Sequence, residues 1–384
     1  MLYIAAQIFF YAMIGVASYF FLMAFANMLE MKLRTSSPSV KGGVFVSVLI
    51  PARNEENNIE KCVNSLLNQD YSDYEIIIID DNSDDKTFEI ISKLAEQNER
   101  VTALKGKPLP PDWYGKSFAT EQMIPHAKGE ILLFTDADTF HNPTSVSWAV
   151  TNMQKTGADL ISGYAGQILK SLGERLTVPL IFFLTGFLIP MFLNRIVKLG
   201  YFSLAVGQYI AVKKISFVKV GGYSTVKNKT SEDVFLARLM KSSGYKTEFL
   251  DISNQVLCRM YSSGKEAITG IGKNIYDFFG KNPFPLIMNA AAILLFFCLP
   301  FPLFIALLVL SYLEIFSNPF LIHLIIVLIL HTLTWLILFI GRRISIHNTL
   351  YWPIMYFNLL FMVLWSFYRT LSGRGFVWKD RVVT

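Results

Sequence analysis

The first 29 residues contain no charged side chain, and that one feature limits what the chain can become. The apolar stretch over about residues 2–28 exceeds the roughly 20 residues that a helix needs to cross a bilayer, and Glu30, Lys32 and Arg34 follow it directly. A cleaved signal would carry its basic residues before the apolar run and small residues after it. The order found here predicts a retained transmembrane anchor over residues 1–29, with the amino end outside and the next segment in the cytoplasm.

The same signal returns later in the chain. Residues 284–310, 320–340 and 350–367 are three apolar runs, so 284–368 reads as a second set of transmembrane segments and 369–384 as a basic tail with Arg369, Arg374, Lys379 and Arg381. These runs explain a composition that is 53% hydrophobic and 17% charged, too apolar for an ordinary soluble domain. Three crossings after a cytoplasmic domain would leave the tail outside, whereas the positive-inside rule wants its basic residues in the cytoplasm. Pro300 and Pro302 in the first run, or Pro353 in the last, can mark a segment that enters and returns, and a cytoplasmic tail is expected. The net charge of +6 is dispersed or gathered at the ends of apolar runs, which favours an anionic lipid surface over nucleic acid as a partner. Cys62, Cys258 and Cys298 are widely spaced without CxxC or His-rich ligand spacing and read as reduced thiols with no structural role.

Between the apolar ends, residues 44–281 alternate strand and helix periods. The β-branched run 44–49 ends in Pro51-Ala52-Arg53-Asn54-Glu55-Glu56, and Ile59, Val63, Leu66 and Leu67 then recur at helical spacing. A continuous aliphatic strand over 75–79 delivers Asp80-Asp81-Asn82-Ser83-Asp84-Asp85, followed by a helix over about 87–97. A third strand, 131–134, ends in Asp136-Ala137-Asp138, and Pro143 opens another helix. This is an α/β series with polar clusters at the carboxyl ends of parallel strands, where open sheets bind ligands.

Three acidic sites carry the candidate chemistry. Asp136 and Asp138 can both turn to one hard cation, Mg2+ or Mn2+, which is normally held by one or two carboxylates plus substrate phosphates. Asp81 can accept a hydrogen bond from a nucleobase imide. Asp233, in Ser231-Glu232-Asp233 ahead of a helical stretch over 234–240, can take a proton from an acceptor hydroxyl. Each alone is also compatible with a solvated turn or a helix cap. At a helix start, Asp233 is expected to have an ordinary low pKa.

Taken in order, VSVLIPARNEE, IIIIDDNSDDKT, FTDAD and SEDVFLARL resemble the family 2 glycosyltransferases, whose catalytic domain has the GT-A (Rossmann-like) fold. Trp113 to Ala119, Arg259-Met260-Tyr261 with Lys273-Asn274, and Val377 to Arg381 resemble the membrane-bound branch that includes carotenoid glycosyltransferases. The resemblance implies that Pro51, Ala52 and Glu55 shape the nucleoside pocket, Asp81 reads the base, and Asp136 and Asp138 hold ribose and metal. It implies that Lys116 neutralises the donor diphosphate, that Asp233 is the base, and that Gly207-Gln208-Tyr209 with Gly221-Gly222-Tyr223 form the acceptor side. Two departures stand out. The QxxRW motif of processive synthases is reduced to Gln255-Val256-Leu257-Cys258-Arg259-Met260, and Asp380 stands where the related branch tends to have glycine.

These readings predict a single inverting displacement in which one hexose, with UDP-glucose the favoured donor by resemblance, moves from a nucleotide sugar to a lipophilic acceptor such as a carotenoid or other isoprenoid lipid. Polyprenyl phosphate, a sterol-like triterpenoid and diacylglycerol are the alternative acceptors, and a catalytically dead nucleotide-sugar-binding regulator is the alternative from another class. The apolar run 176–193, broken by Pro179 and Pro190 and followed by Arg195 and Lys198, suits the membrane interface better than a crossing. The expected location is the cell membrane, multi-pass, with the catalytic domain cytoplasmic.

Overall fold

The computed structural model describes every residue except 188–189, 230, 279–281, 314–318, 373, 375, 379–380 and 384. The departure at Asp380 and the tail end at Thr384 therefore lie outside the described residues. The chain forms two units, one of residues 30–168 and 191–260, the other of residues 1–29, 169–190 and 261–384.

The uncharged start of the chain forms α1 (Leu2–Arg34), a continuous helix. The first unit then begins with β1 (Val46–Ala52), α2 (Ile59–Leu67), β2 (Tyr74–Asp80), α3 (Thr87–Gln97), β3 (Val101–Lys105) and α4 (Gly115–Met123). It continues with β4 (Ile131–Phe134), β5 (Thr139–His141), α5 (Ser145–Thr156), β6 (Leu160–Tyr164) and β7 (Gly166–Gln167). Short helices follow, α6 (Leu172–Thr177), α7 (Leu180–Gly186) and α8 (Leu193–Ile196), with Pro179 between the first two. The unit closes with β8 (Ile210–Lys213), α9 (Lys214–Lys219), α10 (Glu232–Ser242), β9 (Thr247–Asp251) and β10 (Val256–Cys258).

Seven strands make the main sheet in the order β3-β2-β1-β4-β8-β6-β9, while β5, β10 and β7 form a small second sheet. The strands β3, β2, β1 and β4 are mutually parallel, and β8 runs antiparallel to both β4 and β6. A parallel strand covered on both faces must be apolar at every position, which is why β2 reads as an unbroken run of isoleucines. Alternate residues divide between the faces. Val48, Ile50, Ile76, Ile78 and Leu133 pack with Val63, Leu66, Ile91 and Trp148 from α2, α3 and α5. Leu49, Ile77, Ile79, Leu132 and Phe134 pack with Ala119, Met123, Leu236 and Met240 from α4 and α10. Each fully buried aliphatic side chain here contributes about 1.5–3 kcal/mol. The functional consequence is positional: the sheet order sets the carboxyl ends of β2, β1 and β4 side by side.

The second unit is helical, with α1, α6 and α7 joined by α11 (Gly264–Phe278), α12 (Pro283–Ile293), α13 (Pro300–Tyr312), α14 (Leu321–Gly341) and α15 (Trp352–Leu371). Three helical stretches, 3–34, 321–341 and 346–371, are long and apolar enough to cross a membrane, and the pair α12–α13, bent by 41°, makes up to four. Many of its large apolar side chains face outward, among them Ile8, Leu22, Ile329, Phe361 and Leu364, as lipid-facing helices require. Inside, Phe20, Phe183 and Phe297 meet ring to ring, with centroids 4.9–5.2 Å apart. The backbones of α6 and α11 touch at Gly173 and Gly264, where an added Cβ on Gly173 would lie 2.7 Å from the Gly264 Cα. Only glycine fits that approach.

Candidate active site

The loops that leave β1 and β2 are laced to each other. Asp81 N donates to the Ala52 carbonyl at 2.7 Å, and the Arg53 guanidinium donates to the Asp81 carbonyl at 2.8 Å. Asn54 N donates to Ser83 Oγ at 3.0 Å and Asp84 N to Asn54 Oδ1 at 2.9 Å. Both turns use an asparagine in the left-handed region, Asn54 at φ 51° and Asn82 at φ 54°, a conformation that Asn tolerates better than most residues. Glu55 is buried at 8% exposure, with its amide on Thr87 Oγ1 at 2.8 Å and its carboxylate accepting from Asn58 at 2.8 Å.

The acidic run after β2 divides by task. Asp80 accepts from Ser83 N at 3.3 Å, and Asp85 accepts from the amide and hydroxyl of Thr87 at the start of α3. Those two acids do what a capped turn asks of them. Asp81, 4% exposed, sits at the carboxyl end of β2 beside Pro51 and Ala52 of β1, so the structure brings these sequence-predicted residues together.

On the other side of β1, β4 delivers Asp136 and Asp138. Lys116, in the first turn of α4, places its Nζ 2.6 Å from Asp136 Oδ1 and 3.7 Å from Glu232 Oε1. Burial pulls this ammonium down, but Asp136, Glu232 and Asp233 together raise its pKa well above the ordinary lysine range. Gly207 explains how the ammonium reaches this position, since a Cβ there would lie 2.6 Å from Lys116 Nζ and 3.5 Å from Asp233 Oδ2.

Asp233 lies in the first turn of α10, where Ser231 makes no side-chain cap. Its Oδ1 accepts from Val234 N at 2.8 Å and its Oδ2 from Gly207 N at 2.8 Å. One oxygen thus serves the helix start and the other is tied to the loop before β8. Each carboxylate oxygen has two lone pairs, so both keep accepting capacity. Burial holds this carboxyl above the ordinary aspartate range, against the pull of Lys116 and the two amides. The low pKa expected from a helix start is therefore corrected: the terminus is present, and desolvation outweighs it.

Two thiols support the metal-type loop from below. Cys62 Sγ lies 3.7 Å from the Asp136 carbonyl and 3.6 Å from Thr139 Oγ1, and Cys258 hydrogen-bonds Asp138. Burial pushes the Cys62 thiol up to about 12. All three cysteines are free and buried, as the sequence suggests, but these two do have a structural place under the loop. Sequence reasoning also missed Glu232 as a partner of Lys116 and the Gly207 amide as the anchor of Asp233.

Asp136 and Asp138 come from one short loop, and among the described residues no group of three or more His, Cys, Asp or Glu could form a metal cage. That donor set fits a hard cation whose other positions go to phosphate and water, as Mg2+ and Mn2+ prefer.

Residues 47–217 match the family model described as Glycosyl transferase family 2. The chain is 42% identical over 96 residues to the beta-monoglucosyldiacylglycerol synthase of Trichormus variabilis, a match covering 24% of this chain and 20% of that protein. It is 27% identical over 241 residues to the 4,4'-diaponeurosporenoate glycosyltransferase of Staphylococcus haemolyticus, covering 60% of each. The chain thus spans a fifth to three fifths of the length of these relatives. Among solved structures, the mannosyltransferase PcManGT from Pyrobaculum calidifontis, in complex with GDP-Man and Mn2+, superposes with a TM-score of 0.55 at 18% identity, covering 95% of this chain and 99% of that one. The family match ends before Asp233, which the Gly207 amide joins to the matched region. Residues 47–217 are therefore a glycosyl transferase family 2 domain with the GT-A fold.

Proposed function

We propose that the chain is an inverting hexosyltransferase of the cell membrane, which moves one sugar from UDP-glucose to a carotenoid or other isoprenoid lipid on the cytoplasmic face. The observation that carries this reading is the convergence of Asp136 and, from a distant part of the chain, the adjacent pair Glu232 and Asp233 on the Lys116 ammonium. Such a cluster supports a reading in which a cation for the departing diphosphate lies next to an acid suited to proton removal. Pro51, Ala52, Glu55 and Asp81 hold the nucleoside, and Asp136 adds the ribose contact.

Asp136 and Asp138 would hold Mg2+ or Mn2+, which supplies charge neutralisation of the diphosphate when bound. The steps belong to the chain's own residues. Asp233 takes the proton from the acceptor oxygen as that oxygen bonds to the anomeric carbon, the bond from that carbon to the phosphate oxygen breaks, and Lys116 stabilises the leaving nucleoside diphosphate. No covalent sugar intermediate is needed. The names of the two curated relatives, one acting at a diacylglycerol and one at a carotenoid acid, support a lipid acceptor. The first keeps diacylglycerol as the second reading.

The test is transfer from labelled UDP-glucose in the presence of Mn2+ to lipids extracted from cells lacking the protein, with mass analysis of the sugar-bearing product. A glucosylated lipid is expected, and its loss in Asp138→Asn, with the variant still folded and membrane-bound, because an anionic ligand is removed without a change of shape. Near-normal transfer by that variant with a chelator present would overturn the metal assignment. Donor hydrolysis without any lipid product would overturn the acceptor class.

A further inference from the structure

Beneath the Asp136–Asp138 loop lies a buried polar network built around His141, the last residue of β5, 1% exposed. Its Nε2 is 3.0 Å from Thr135 Oγ1 and 3.1 Å from Thr139 Oγ1, and its Nδ1 is 3.0 Å from Ser145 Oγ. The two threonines already have uses for their hydroxyl protons: Thr139 donates to the Asp136 carbonyl at 2.7 Å and Thr135 to the Gln208 carbonyl at 2.9 Å. Their oxygens can then only accept from the ring, which makes Nε2 the protonated nitrogen. Burial alone pulls the imidazole down to about 3, so Nδ1 carries no proton and faces Ser145 Oγ as an acceptor, in competition with Gln69 Oε1, to which the same hydroxyl donates at 2.9 Å. Val146 N, at 3.0 Å, satisfies Gln69 Oε1. His141 N donates to Ser65 Oγ at 3.0 Å, which fixes the residue to the end of α2.

The two carbonyls reached through the threonines belong to the two halves of the site. One is that of Asp136. The other, Gln208, follows Gly207, whose amide holds Asp233. We infer that His141 is a positioning residue, whose single N–H, shared by Thr135 and Thr139, locks the metal-type loop and the anchor of the base into one geometry. The inference rests on the proposed roles of Asp136, Asp138 and Asp233. A histidine that served packing alone would set stability and leave cation affinity untouched, whereas outer partners of metal ligands typically set affinity by about 10- to 100-fold.

The experiment uses the full chain in detergent, with Mn2+ binding in the presence of UDP followed by electron paramagnetic resonance, alongside unfolding midpoint and turnover. His141→Phe keeps a ring and leaves both threonine protons and the Ser145 proton with acceptors, so the fold is expected to persist. Its Mn2+ affinity should fall by about 10- to 100-fold, and His141→Gln, whose amide returns an N–H, should recover part of that loss. Thr139→Val should reproduce the affinity loss, and Thr135→Val should lower turnover at saturating Mn2+ while sparing affinity. Wild-type Mn2+ affinity and turnover in both His141→Phe and Thr139→Val would overturn the inference. If His141→Phe does not fold, the two threonine variants decide by the same criteria. Mn2+ binding that Asp138→Asn leaves intact would instead refute the metal site itself, and the inference with it.

Discussion

Asp233 is a carboxylate with two amide donors and an ammonium beside it, and burial still holds its pKa above the ordinary aspartate value. The sign matters for activity. A base works deprotonated, so transfer to a hydroxyl should fall on acidification through an apparent pKa above 3.8, higher than an unburied aspartate would give. Asp233→Asn should cut transfer to a hydroxyl acceptor by roughly 10²- to 10⁴-fold with nucleotide affinity unchanged. A carboxylic acid acceptor is already ionised at neutral pH, so the same change should cost far less there. Turnover of the variant on the identified lipid, with nucleotide affinity measured in parallel, separates the two cases. A hydroxyl acceptor glycosylated at close to the wild-type rate would make Asp233 a helix-terminus residue and send the search for the base elsewhere.

At the level of elements, the join of α12 and α13 shows what a proline costs and how it is offset. Pro300 has no N–H, so the Phe296 carbonyl four residues earlier loses its helical donor, and the helix widens to a π turn over Leu294–Cys298. His331 on α14 takes the place of the missing donor, with Nε2 3.2 Å from the Phe296 carbonyl, and Tyr356 Oη donates to its Nδ1 at 3.2 Å. His331→Phe should therefore destabilise the chain by about 1–3 kcal/mol, the cost of a buried carbonyl left unmade. In a Pro300→Ala background, where an N–H returns, that loss should shrink; equal losses in both backgrounds, measured by unfolding in detergent, would refute the pairing. The same physics explains what was legible in the sequence. The strands β1, β2 and β4 and the helix α3 can be read because buried parallel strands are unbroken aliphatic runs and α3 has a clear apolar period. The strands β5 and β10, each of three residues, are too short to show any period. In the site, Asp136, Asp138 and Asp233 announce themselves at element ends, whereas the Gly207 amide and the threonine hydroxyls act on partners chosen by tertiary folding. No local pattern marks them.

For the molecule in its membrane, contacts inside the helical unit turn the conflict over the tail into a prediction. Near their starts α1 and α14 meet through Phe10 and Phe320, 4.6 Å apart, and Tyr11 and His323, 5.2 Å apart. Near their ends Met28 covers Gly341. The two helices run in the same direction, so Arg342 and Arg343 after α14 lie on the side of Lys32 and Arg34 after α1, which the positive-inside rule places in the cytoplasm. On that orientation α14 would start outside and the bent pair α12–α13 would make one crossing: Phe297 meets Phe20 deep along α1, while Leu303 and Leu307 reach the Phe10 and Phe320 end. The chain reverses after α14 at Arg343, φ 56°, with Ile344 N bonded back to the Phe339 carbonyl at 2.9 Å. Next, α15 begins with Trp352 Nε1 on Thr332 Oγ1 at 3.1 Å, halfway along α14, and its Asn358 reaches the Leu176 carbonyl of α6 at 3.1 Å. These contacts predict that, of the two proline sites open on sequence grounds, the segment with Pro353 is the one that enters and returns, and that the tail is cytoplasmic. Single cysteines settle the point, because the three native thiols are buried. In intact cells an impermeant reagent should label Tyr312→Cys and spare Ser345→Cys and Thr384→Cys. Labelling at Ser345 with none at Tyr312 would make the Pro300 segment the one that returns, and labelling at Thr384 would make α15 a true crossing.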